Sequence, residues 1–139
     1  MRRIIQAIGV LAAAAGPAVA ATEWQQDTVR GLERYALAAE GGGADLICDP
    51  DRVFGETSNA SLAVTMPEDA DATLVVLLAA TGEQAALPLA AGRVAEKDVD
   101  PAEWRQMVEI VRAGGSFAFV TGEDAMRLDD IAPLPGLDC

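Results

Sequence analysis

The chain has 139 residues, ten basic and 22 acidic side chains, no histidine, and a formal net charge of −12. Without imidazole there is no Ser-His or Cys-His nucleophile pair, no His-ligated zinc, and no side chain that ordinarily titrates near neutrality. The negative charge opposes nucleic acid and anionic membrane surfaces, which proteins meet with Lys and Arg.

Residues 1–20 read as a cleavable export signal. Met1-Arg2-Arg3 is basic, Ile4 to Ala15 is apolar, Gly16-Pro17 breaks the run, and Ala18-Val19-Ala20 puts small residues at −3 and −1, so the cut falls between Ala20 and Ala21. The run stops short of the roughly 20 residues a membrane span needs. Ile4-Ile5-Gln6 does not continue the arginine pair as a twin-arginine motif would, which favours general secretion. The expected product is one periplasmic or secreted domain, Ala21 to Cys139, with no stable membrane insertion. Removing Arg2 and Arg3 leaves eight basic against 22 acidic side chains, a net charge of −14. Such a surface serves solubility first, and it tolerates cationic partners.

Further along, Tyr35, Leu37 and Ala39 alternate with Arg34, Ala36 and Ala38, then come Gly41-Gly42-Gly43 and the alternating Leu46 and Cys48. That pattern predicts a hairpin around the three glycines. A helix over Gly31 to Glu40 is the competing expectation, because Leu, Glu, Arg and Ala favour helices. Leu62, Val64 and Met66 predict a strand that Pro67 ends. After an acidic turn from Pro67 to Ala72, the apolar run Thr73 to Ala79 predicts a strand covered on both faces. Thr81-Gly82-Glu83-Gln84 turns it into Ala85 to Ala90, and Arg93-Val94 extends the sheet.

Asp100-Pro101-Ala102-Glu103 predicts a helix start, with Asp100 as cap, Pro101 in the first turn and Glu103 reaching back. Trp104, Met107, Val108 and Val111 fall on one face, which should lie on the sheet, and Gly114-Gly115 ends the helix. Phe117 and Phe119, a turn from Thr121 to Asp124, then Met126 and Leu128 predict a closing hairpin. Pro133 and Pro135 keep the tail from Ile131 to Cys139 out of a regular helix.

Cys48 and Cys139 are the only cysteines, and in an oxidising compartment they are expected to pair; a reactive thiol and an intermolecular bridge are the alternatives. The fold class expected is thus mainly β (α+β): an antiparallel sheet or sandwich of hairpins, one amphipathic helix packed on it, and a disulfide closing it.

Catalytic candidates are few. A Ser-Lys dyad would have to join Lys97 to Ser58, Ser61 or Ser116, none in a recognisable motif, and 22 acids make no single carboxylate pair convincing. Asp49-Pro50-Asp51 and Asp98-Val99-Asp100 have a spacing that calcium loops use, but Val53 and Phe54 stand where such a loop needs an acid and a glycine. A turn at the first pair and helix capping at the second are the expected roles, so no catalytic, metal or cofactor residue is assigned.

Trp24, the strand into Gly41-Gly42-Gly43, Leu46-Ile47-Cys48-Asp49, the capped helix, the Phe-rich closing hairpin and Cys139 together resemble small secreted proteins of alphaproteobacteria. The helix-then-hairpin ending is distantly similar to the invasion-associated locus B type. That resemblance implies a non-catalytic periplasmic β domain and transfers no binding residues. The function expected is a non-catalytic binding or interaction protein of the cell envelope. The alternatives are an inhibitor of a basic envelope-directed hydrolase such as lysozyme and, behind it, a carboxylate-based hydrolase.

Overall fold

Alternation of apolar and polar side chains with period two decides most of this structure. In the computed structural model, which describes residues 22–139, nine strands form two antiparallel sheets. The expected export signal, residues 1–20, and its expected junction Ala20/Ala21 lie outside the described residues. The first sheet has the order β1 (Gln25–Val29), β2 (Leu32–Ala39), β3 (Gly42–Cys48), β4 (Ser61–Thr65) and β7 (Arg93–Ala95). The second has the order β6 (Gln84–Pro88), β5 (Leu74–Ala79), β8 (Gly115–Val120) and β9 (Ala125–Ile131).

Tyr35, Leu37, Leu46, Leu62 and Val64 from the first sheet share one core with Val75, Leu77, Leu87, Phe117, Phe119, Met126 and Leu128 from the second. Leu46, Leu62, Leu77 and Leu87 are completely buried, and each such side chain contributes about 1.5 to 3 kcal/mol through removal from water. Phe117 and Phe119 project to the same side of β8 and meet edge to face, with ring centroids 6.2 Å apart. The expected mainly β fold with one helix and a Cys48–Cys139 bridge is therefore present.

Of the two readings of Gly31 to Glu40, the strand holds, as Leu32–Ala39: burying Leu32, Tyr35 and Leu37 outweighs the intrinsic helix preference of its residues. Other details differ from expectation. The β2–β3 turn is Glu40-Gly41, whereas Gly42 and Gly43 already pair as strand. Gly42 has no room for a side chain, since a Cβ there would collide with the Thr65 carbonyl oxygen of β4. β5 is covered on one face only: Val75 and Leu77 are buried, while Leu74 and Leu78 are 50% and 41% exposed. Arg93-Val94 does extend a sheet, but β7 pairs with β4, so the chain crosses from the second sheet to the first after β6. β1 was not anticipated, because Gln25-Gln26-Asp27-Thr28 has no apolar face and pairs only as an exposed edge.

The helix α1 spans Pro101–Ala113. Asp100 Oδ1 accepts the Ala102 amide at 2.8 Å, as the capping pattern requires. Asp98 takes no part in it and sits in a 3-10 turn, Glu96–Asp98. Glu103 does not reach back to the cap either. Its Oε2 accepts the amide of Ala86 on β6 at 2.8 Å, satisfying a donor on the outer edge of that sheet. Trp104, Met107, Val108, Ile110 and Val111 are buried beside β6 and β5. Gly114 ends the helix at φ 68, where a Cβ would lie 2.6 Å from the Ile131 carbonyl oxygen.

Candidate interaction surface

The disulfide places the end of β3 beside the C-terminal tail, with the Cys48 and Cys139 Cα atoms 4.7 Å apart. The tail is also held by the helix. Trp104 Nε1 donates to the Cys139 carbonyl at 3.1 Å, and Arg112 donates through Nε and Nη2 to the Leu137 carbonyl at 3.0 and 2.8 Å. Leu137 itself is buried in the core.

Directly after the bridge, residues 49–60 form a loop organised by one carboxylate. Asp49 is only 3% exposed. Its Oδ1 accepts the Val53 amide at 2.9 Å, and its Oδ2 accepts the Asn59 amide at 2.9 Å and the Asn59 side-chain amide at 3.4 Å. The Val53 and Asn59 backbone amides hold the Asp49 carboxyl below its ordinary pKa, because hydrogen bonds to the charged form favour it. A single side chain thereby ties both ends of the loop together. Ser58 adds a second tie, its buried hydroxyl donating to Glu96 Oε2 and accepting the Ala60 amide at 3.1 Å.

The fixed ends hold the middle of the loop outward. Val53 and Phe54 are 54% and 61% exposed, whereas Phe117 and Phe119 are buried. An adjacent pair of large apolar side chains at a loop tip is unfavourable in water unless something covers it.

A cleft flanks the loop on each side. One, of about 590 Å³, lies toward the helix and includes Arg52, Lys97, Arg105 and Arg112 along with Glu56, Glu96 and Asp138. The other, of about 610 Å³, lies over the outer face of the first sheet, with Val29, Leu32, Ile47, Phe54, Asn59 and Ser61 beside Arg30 and Arg93. Six of the eight basic residues described thus line these two clefts, Arg52 from within the loop itself. Among the described residues, ion pairs form only at Arg34, with Asp45 at 2.7 Å and Asp27 at 3.3 Å. Five acids stand apart from it: Glu68, Asp69, Asp71, Glu123 and Asp124 lie on two loops that lock together through Glu68 N to Asp124 Oδ2 at 3.1 Å and Glu123 N to Asp69 Oδ2 at 3.3 Å.

Of the residues singled out in the sequence, Cys48 and Cys139 are brought together, and Asp49 proves to be the loop's organiser. Asp51, its partner in the calcium-like spacing, is exposed and is not among Asp49's hydrogen-bond partners. Lys97 and Ser58 both border the helix-side cleft, Ser58 with its hydroxyl committed to Glu96. No group of three or more His, Cys, Asp or Glu side chains is arranged to hold a metal among the described residues, and no described helix is long and apolar enough to cross a membrane. Val53, Phe54, Arg30 and Arg93 were missed as surface residues of interest. The Val53-Phe54 pair inside the polar stretch Asp49 to Asn59 was a signal that could have found the first two. Comparisons with protein-family models, with curated proteins and with solved structures found no match.

Proposed function

We propose that the protein is a non-catalytic binding protein of the cell envelope, and that the loop 49–60 with its two clefts is the surface through which it binds. The observation that carries this is the outward display of Val53 and Phe54 by a loop whose two ends one buried carboxylate secures. A loop ordered before binding loses less conformational entropy on association. Bordering cations in a strongly acidic chain add direction, favouring a partner that presents apolar groups beside negative charge. The signal-like residues 1–20, the oxidised cysteine pair and the likeness to secreted alphaproteobacterial proteins support placement in the periplasm or outside the cell. An intact mass beginning at Ala21 and lighter by the two hydrogens of the bridge is the expected result for the purified native protein.

The binding surface is tested by affinity capture from native periplasm with the wild type and with a Val53→Ser/Phe54→Ser variant. The wild type should retain a partner that the variant loses, while the circular dichroism of the two agrees. Equal recovery by both proteins would remove the loop from the binding surface.

The acidic loops around Asp69 and Asp124 favour a second reading, inhibition of a basic hydrolase. Three of these acids, Asp69, Asp71 and Glu123, line a groove there with the exposed Leu74 and no basic side chain. Lysozyme activity that stays unchanged with excess protein at low salt would dispose of it.

A further inference from the structure

We infer that the cleft between loop 49–60 and the outer face of the first sheet is a binding site for a small amphiphilic anion, a carboxylate on a short aliphatic body. The inference rests on the loop's role in binding and names what one of its two clefts takes. Its volume of about 610 Å³ falls among small-molecule sites. The apolar part of the wall is Val29, Leu32, Ile47 and Phe54. Leu32 is 8% exposed, yet it stands outside the main core; it belongs to the outward-facing set of β2 that includes Arg34 and Ala36. Ser61, in the corresponding set of β4, is also buried. Among the described residues of that sheet face only Leu32 and Ser61 are buried, and Phe54 and Asn59 of the loop line the cleft with them.

The charge of the cleft sets the sign of its ligand. Arg30 and Arg93 are its only charged residues, in a chain with 22 acids, and neither makes an ion pair among the described residues. Arg93 only approaches the Ser61 hydroxyl, at 3.5 Å. Both arginines are placed by two-residue turns. Arg30-Gly31 has φ values of 53° and 81°, and Ala91-Gly92, with 52° and 76°, leads into Arg93. The first position of such a turn favours Asn or Gly, so an arginine there stands against local preference. A guanidinium presents a planar fork that a carboxylate matches with two hydrogen bonds. The carboxylate would lie between Arg30 and Arg93, with its alkyl chain against Leu32, Ile47 and Phe54.

Octanoate, octanol and octylammonium, titrated into ¹⁵N-labelled protein, give the test. Octanoate should shift the amides of residues 30–32, 47, 54, 59–61 and 93, and octanol should bind about tenfold more weakly, because it lacks the charge-assisted hydrogen bonds. An Arg30→Asn/Arg93→Gln variant, in which Asn suits the turn, should bind octanoate at the octanol level with its remaining spectrum unchanged. Octanol or octylammonium binding as tightly as octanoate, or an unaltered affinity in the variant, would overturn the site. So would octanoate shifts confined to other residues, or no shifts at all. If the periplasmic partner is still lost on substituting Val53 and Phe54 while octanoate fails to bind, the anion site alone falls.

Discussion

Removing the Cys48–Cys139 bridge has a consequence that can be worked out in advance. The two residues are 91 positions apart. Closing a loop of that length lowers the entropy of the unfolded ensemble by about 16 cal/mol/K on the chain-entropy model, which is about 4.6 kcal/mol at 25 °C. That is a large part of the 5 to 15 kcal/mol that stabilises a typical domain. The native tail has other attachments, through Trp104, Arg112 and the buried Leu137. A Cys48→Ala/Cys139→Ala variant should therefore keep its fold and lose stability. With a urea m-value of about 2 kcal/mol/M, the unfolding midpoint should fall by about 2 M. Tryptophan fluorescence is the suitable signal, since Trp104 is bonded to the tail and Trp24 lies in the core. A midpoint shift below about 0.5 M at unchanged m would refute the reasoning. It would mean that the helix and Leu137 hold the tail so well that the covalent link constrains little else.

Three further predictions follow from single side chains. Asp49→Asn should speed hydrogen exchange at the Val53 and Asn59 amides while exchange in β3 and β4 stays as it was; because the native Asp49 pKa is depressed, the wild-type loop should also loosen as pH falls below about 4, through the folded pKa. Exchange that is the same in both proteins would deny Asp49 its organising role. Tyr35, whose hydroxyl donates to Glu33 Oε2 at 2.9 Å, should titrate with a pKa of about 12, raised by burial and then by Glu33. Its share of stability is complete below the unfolded value of about 10 and is lost as pH rises through the folded one, so a phenolate absorbance midpoint near 10 would contradict the buried geometry. Glu103→Ala should cost about 1 kcal/mol by chemical denaturation, from the unpaired Ala86 amide, with helix content by circular dichroism preserved by the Asp100 cap; a neutral effect would show that water replaces the carboxylate.

Most of the fold was legible in the sequence because its strands bury one face each. The alternations at Tyr35-Leu37, Leu62-Val64 and Phe117-Phe119, and the stripe from Trp104 to Val111, correspond to the buried sides of β2, β4, β8 and α1. β1 was illegible for the opposite reason: its residues bury nothing, and only pairing with β2 makes them strand. β5 misled because an apolar run looks the same whether one face is covered or both. The bridge followed from there being two cysteines and from the oxidising compartment that residues 1–20 led one to expect. The candidate interaction surface did not follow, because Arg30, Arg52, Arg93, Lys97, Arg105 and Arg112 are scattered in sequence and come to line two neighbouring clefts only when β7 crosses to the first sheet and the helix settles beside β6. Glu103 showed how a local pattern can be satisfied elsewhere, its carboxylate preferring the unpaired donor of β6 to its own helix end.

The helix lying beside β6 belongs to a wider pattern among the sheet margins. Four strands have an open flank, and each is obstructed differently. β6 has Glu103 bonded to its outward amide. β7 is three residues long. β1 carries Gln, Gln, Asp and Thr, and β9 carries Arg127, Asp129 and the left-handed Asp130 near a register shift. Short, charged, kinked or covered borders discourage another chain from adding itself as a further strand. That obstructs a common route to fibrous self-association, and it leaves loops and sheet faces as the places where other molecules can be met.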